Sequence, residues 1–414
     1  MDGNNNQFGQ ENRQSVYFGA DSGQGNEQSV YFGAGSGQVN PQYENSQNVN
    51  QGSGNQQYYD PRYGTPQYSF PPYGFGIPQP PVFNERKAKS HFSRIGLSYF
   101  IFWLVAIVLG NFIAVVMYLS FPEAMDNYFV SMMVALLPMY LVGAPLCMLC
   151  INNVEREKPR RNHWSFWQIV GGFIVGYSLM YLGSWIGSYI GLLIESVLPD
   201  AQASTNNVQE MVLTGEMWVN VIAMVLIGPV VEELLFRKLL CDRLKVYGDW
   251  VTIIVTGIMF GAFHGNITQG IYACMFGMFL AYVYLRTGNI FITIGYHVTA
   301  NFMGSVLPLL LLNSSAVEGL EEVLEGGDVY AVSDFVSEHP EAFLMYGGYI
   351  LLVFGLMLAG IVIMIVTVAR GHVVINRGRY SIPSGKRFTT IFVNVGMILF
   401  LIGCFAEVII NTFC

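Results

Sequence analysis

From about residue 96 the chain alternates between long apolar runs and short polar connections. The apolar runs cover 96–120, 129–151, 166–197, 216–236, 250–265, 268–285, 290–312, 345–369 and 388–413. Most approach the ~20 residues that cross a hydrocarbon core as a helix. The pattern predicts an all-α membrane protein: a polytopic helical bundle of about nine spans. Eight is the alternative count, with the shorter runs forming short helices inside the bundle.

The polar connections test that count, because Lys and Arg concentrate on the cytoplasmic side of a membrane protein. Arg86, Lys87, Lys89 and Arg94 precede the first run. Arg156, Lys158, Arg160 and Arg161 lie in the 152–165 connection. Arg237, Lys238, Arg243 and Lys245 follow the fourth run, and Arg286 follows the sixth. Arg370, Arg377, Arg379, Lys386 and Arg387 lie between the eighth and ninth. The intervening connections carry no Lys or Arg: 198–215 has none, and 313–344 has eight acids and no base. If all nine runs cross, every basic connection falls on one side. A cell-membrane, multi-pass protein with a cytoplasmic N-terminus is the expectation.

Residues 1–84 are a different material, rich in Gln, Asn, Gly, Ser, Tyr and Pro. QSVYFGA stands at 14–20 and again at 28–34. Such a segment buries too little apolar surface to offset its ordering entropy. It reads as a disordered cytoplasmic tail whose Tyr and Phe side chains could bind partners or self-associate. A polytopic membrane domain follows over 85–413, with a candidate core at about 216–312.

Composition agrees: 52% of residues are hydrophobic and 12% charged, against roughly 25% charged in soluble domains. No basic patch with interleaved aromatics supports nucleic-acid binding. Most of the six cysteines fall in apolar runs and read as small core residues. Cys147-x-x-Cys150 has no second pair to complete a zinc site. No signal peptide is expected, since the first apolar run begins late.

Ionisable residues inside spans are costly and mark candidate sites. VVEELLFRKLL, at 230–240, brings Glu232, Glu233 and Arg237 into an apolar stretch. Glu233 and Arg237 are spaced i, i+4 with the acid first, the favourable orientation for a helical ion pair. Glu232 is turned about 100° away. Glu233–Arg237 therefore reads as structural, and Glu232 as free to face the bundle.

Glu232 lies 16 residues before Gly248, and His264 lies 16 after it. An antiparallel hairpin turning at Tyr247-Gly248-Asp249 places the two at one level, roughly 24 Å from the turn. The helix bearing Glu232 must then run past 236. His297 and Asn301 share a helical face and enter from the Thr287-Gly288-Asn289 turn. Three helices can thus deliver Glu232, His264, His297 and Asn301 to one place. Taken singly, each residue has a plainer reading: a hydrogen-bonded core histidine, an interhelical asparagine, or a proton relay. His91, His163, His339 and His372 read as solvated, and Glu195 and Glu407 as span-end acids reaching the interface.

Glu232-Glu233-x-x-x-Arg237, Phe260-x-x-x-His264 and His297-x-x-x-Asn301 resemble the three motifs of the CPBP family. That family comprises intramembrane proteases, among them the type II CAAX prenyl endopeptidases and bacterial relatives. Gly228-Pro229 and Arg286-Thr287-Gly288-Asn289 are similar to the family as well. The resemblance covers about 216–312. Lys238 departs from the glycine that often follows the motif arginine in bacterial relatives.

The resemblance implies an intramembrane endopeptidase that hydrolyses a peptide bond of a membrane-associated protein or peptide. Catalytic residues would be Glu232, Glu233, Arg237, His264, His297 and Asn301. Glu232 with His264 would activate water, and His297 with Asn301 would bind the oxyanion. No cofactor is favoured; the alternative is a divalent metal such as zinc on Glu232, His264 and His297. Rival readings are a non-catalytic membrane scaffold or immunity protein, and a transporter with a buried Glu/His relay.

Overall fold

The structure, a computed structural model, describes residues 83–203, 215–312, 323 and 329–413. The tail expected over 1–84 therefore lies outside the described residues, apart from its last two. So do most of the connections at 204–214 and 313–328.

Nine principal helices follow one another among the described residues. They are α1 (Glu85–Ser120), α2 (Tyr128–Ile151), α3 (Phe166–Val197), α4 (Met217–Tyr247), α5 (Asp249–Ala262), α6 (Ile267–Thr287), α7 (Ile290–Leu311), α8 (Leu344–Ala369) and α9 (Val395–Phe413). No strand forms there; one isolated β-bridge joins Gly248 to Arg377. Polar residues at the junctions set the starts. Asn84, Asn127, Asn266 and Asn289 each accept a backbone N–H of the first turn, and Ser165 forms a reciprocal capping box with Gln168. Gly288 closes α6 in a left-handed conformation at φ 59°.

Each apolar run corresponds to one helix, with differences at the edges. α1 begins at Glu85, ahead of its apolar run, so His91 lies inside it. The His91 ring is not solvated but contacts the Arg243 carbonyl at 3.2 Å. α4 continues to Tyr247, as the hairpin required. α9 begins at Val395, because the chain breaks after a short turn at Arg387–Ile391.

Eight of the nine helices have the length and apolarity to cross a membrane; α5, with 14 residues, does not. At about 21 Å it falls short of a ~30 Å hydrocarbon core. The chain turns back at Phe263–Asn266 and runs along α5 as α6. Because α5 and α6 leave and return to the same end, the charge pattern is the same whether α5 crosses or stops short. All five basic connections meet at that end. Lys386 pairs with Glu85, Arg379 with Glu155, Lys245 with Glu157 and Arg286 with Asp249. Asn162 reaches the Arg286 carbonyl.

Glycines at four-residue spacing bring the central helices into backbone contact, as small residues do between membrane helices. Gly183 and Gly187 of α3 lie on Tyr272 and Thr268 of α6, and Gly257 and Gly261 of α5 lie on Cys274 and Gly270. A β-carbon at Gly187 would sit 2.8 Å from the Thr268 backbone, whereas one at Gly110 would meet nothing within 4 Å. Gly187→Ala is therefore expected to destabilise the protein by about 1–3 kcal/mol through overpacking, against the helix propensity that favours alanine. Gly110→Ala should be neutral or slightly stabilising. Melting of the two variants in detergent checks both.

Candidate active site

The site is assembled on α4, whose backbone is unusual around the motif. Wide i→i+5 turns occupy Val221–Ile227 and Leu234–Cys241, with a regular α segment, Gly228–Glu233, between them. Such π segments recur at functional sites. In the first of them the Gly228 N–H reaches Ala223 O. The next donor in that register would be Pro229, which has no N–H, so the Met224 carbonyl is left over. Asn301 Nδ2 of α7 donates to it at 2.9 Å. In the second, the Leu235 carbonyl accepts from the buried Tyr99 hydroxyl of α1 at 2.5 Å.

The two glutamates face different surroundings. The Glu233 side chain is wholly buried, as is that of Arg237, with 3.1 Å between Oε2 and Nε. The contact is an ion pair without an aligned hydrogen bond. The guanidinium lies over the Phe260 ring, 4.6 Å from its centroid, a favourable cation–π position. Glu233 Oε1 is 3.0 Å from His297 Nδ1. Glu232 retains 27% side-chain exposure, and its Oε2 is 3.7 Å from His297 Nε2. The His297 ring thus stands between the two carboxylates. A carboxylate only accepts, so the Nδ1 proton of His297 goes to Glu233, and Nε2 is directed at Glu232.

His264 stands just beyond the end of α5, on the turn into α6. Its Nδ1 donates to the Phe260 carbonyl at 2.7 Å, which leaves Nε2 as the open ring nitrogen. Both histidine rings meet Phe260 edge-on, at centroid distances of 4.9 Å for His264 and 5.9 Å for His297. The motif phenylalanine is therefore the wall shared by both imidazoles and the arginine.

Arg237, His264 and His297 thus meet at Phe260, Glu233 and Glu232 lie toward the two ring nitrogens of His297, and Asn301 is bound to the backbone of α4. Lys238, the departure from the family pattern, is held by partners on α4 and α6. It pairs with Asp242 at 2.8 Å and contacts the Tyr284 hydroxyl. Among the described residues no three His, Cys, Asp or Glu side chains converge closely enough to hold a metal ion. As placed, the trio Glu232, His264 and His297 does not form such a group.

Two groups escaped the sequence reading. A β-carbon at Gly228 would lie 3.5 Å from the Tyr140 hydroxyl of α2 and 4.0 Å from Glu232 Oε1, so Tyr140 reaches the same space as Glu232. A tyrosine in mid-span was its only signal. Glu407 does not reach the interface as an end-of-span acid would; it turns inward onto the His264 turn. Nothing in the local pattern of α9 shows this, because its partners lie on α1 and the α5–α6 turn.

Residues 214–303, which hold all six motif residues, match the family described as "Type II CAAX prenyl endopeptidase Rce1-like". A Bacillus subtilis (strain 168) protein named "Putative membrane peptidase YdiL" is 26% identical over 169 residues, 39% of this chain and 66% of that protein. The match thus spans just under two thirds of that relative. No solved structure matches the chain. The three motifs and the family model fall on the same segment, and the stretch that builds the site is similar to the Rce1-like type II CAAX prenyl endopeptidases.

Proposed function

We propose that this protein is an intramembrane endopeptidase that cleaves a membrane-associated protein or peptide with a Glu232-activated water. The observation that carries the reading is the unequal pair. Glu233 is sealed against Arg237 and His297, while Glu232 keeps exposure and faces the second nitrogen of the same histidine. One carboxylate is fixed and the other keeps part of its side chain exposed. That is the division a hydrolase needs between a positioning group and a base.

In the proposed reaction, Glu232 takes a proton from water as the water oxygen bonds to the scissile carbonyl carbon. His264, held through Nδ1, orients that water with its free Nε2. The resulting oxyanion is met by the second N–H of the Asn301 amide and by a proton on His297 Nε2. Glu232 then returns its proton to the leaving amine nitrogen as the C–N bond breaks. Glu233 and Arg237 act by holding His297 and the Phe260 wall, and touch no substrate. No cofactor is assigned. The substrate and the bilayer are the partners, with the N-terminal tail as a candidate binding segment.

Purified protein in liposomes, given a membrane-anchored fluorogenic peptide, tests this directly. Glu232→Gln and His264→Ala should each lower hydrolysis by about 10²–10⁴-fold without changing the melting temperature. Undiminished cleavage in both variants would overturn the catalytic assignment, whereas a wild type that cleaves nothing would leave a scaffold as the better reading. Glu233→Ala should behave differently, since it strands a buried arginine. It is expected to cost about 3–5 kcal/mol of stability, read as a lowered melting temperature with or without substrate. Activity should survive a strong chelator; its loss, restored by added zinc, would reverse the metal-free assignment.

A further inference from the structure

His264 stands on a turn with few contacts of its own. Its backbone N–H reaches Gly261 O at 3.2 Å, and the Gly265 N–H only approaches Ala262 O at 3.5 Å. Gly265 takes a positive φ of 62°, which keeps the chain from continuing as helix. Further support comes from α9 and α1, outside the family-matched segment. Asn411 Nδ2 donates to the Gly265 carbonyl at 2.9 Å. The Glu407 side chain covers the α-carbon of Gly265, so that a β-carbon there would lie 2.7 Å from the Glu407 carboxyl carbon. Glu407 is in turn held by Trp103 Nε1 of α1, which donates to its Oε2 at 2.5 Å.

An acid inside an apolar helix is costly, and Glu407 has no cationic partner in an ion pair among the described residues. Its position accounts for its presence: it is one turn from Asn411, and both press on the residue after His264. We infer that Glu407 and Asn411, with Trp103 behind them, are positioning residues that set the height of His264 against Glu232 and His297. This inference rests on the peptidase reading for its catalytic consequence, but its geometric content stands apart from it.

A displacement of about 1 Å at a reacting group can cost about 100-fold in rate. Asn411→Ala, Glu407→Ala and Trp103→Phe should therefore lower kcat by about tenfold or more with KM little changed. Glu407→Gln, which keeps an oxygen to accept from Trp103, should retain most of the activity. In parallel, amide hydrogen exchange over 258–268 should quicken by about tenfold in Asn411→Ala, while exchange over 228–240 stays as in the wild type.

The inference is overturned if exchange at the turn is unchanged, or if the turn loosens and kcat does not fall. It is also overturned if Glu407→Gln loses as much as Glu407→Ala, or if every loss tracks a smaller folded fraction. Failure of the peptidase reading looks different: the wild type itself cleaves nothing, and the exchange measurement alone then decides whether the buttress exists.

Discussion

The site depends on burying one guanidinium. Arg237 has no exposure, and its two terminal nitrogens make no hydrogen bond among the described residues. Its compensation is Glu233 on the same helix and the face of Phe260 on α5. A buried charge of this kind costs several kcal/mol to desolvate, so α4, α5 and the Glu233 carboxylate cannot move apart independently. Glu233 also holds His297 of α7. Three helices are therefore tied through one ion pair, and the remaining carboxylate, Glu232, stays outside it with part of its side chain exposed.

Around that pair the bundle has two grades of contact. On the α3–α6 and α5–α6 seams, glycines allow backbone to lie on backbone. Elsewhere aromatic side chains fill the space, as where Tyr99, Phe236, Phe260, Phe263 and Phe400 meet between α1, α4, α5 and α9. The first grade fixes the hairpin that carries His264. The second joins the hairpin to helices the family segment does not include.

Helix number and the gathering of basic connections were legible in the sequence, because apolar run length and charge sign are properties of single stretches. Arithmetic from Gly248 expected Glu232 and His264 at one level, with His264 on a helix that in fact ends at Ala262 and leaves it on the turn beyond. The inequality of the two acids was legible, since helical geometry gives Arg237 to Glu233 and turns Glu232 away. Three things were not legible. Glu407 looked like an end-of-span acid, because its partners, Trp103 and the Gly265 turn, are distant in sequence. Tyr140 looked like one more aromatic in a span. The part taken by His297 was also hidden: the i, i+4 rule describes pairs on one helix, and says nothing of a ring from α7 entering between two carboxylates on α4.

Proline is usually read as something a helix loses. On α4 the donor missing at Pro229 leaves Met224 with a carbonyl that its own helix cannot satisfy in the wide-turn register. The acceptor is in effect an address on the side of α4, and the amide of Asn301 is the group that answers it. Which helix docks there, and at what height, is thus written as an omission in one segment and a side chain in another. A residue at 229 with its own N–H would return the carbonyl to α4, and α7 would lose the mark by which it finds its register.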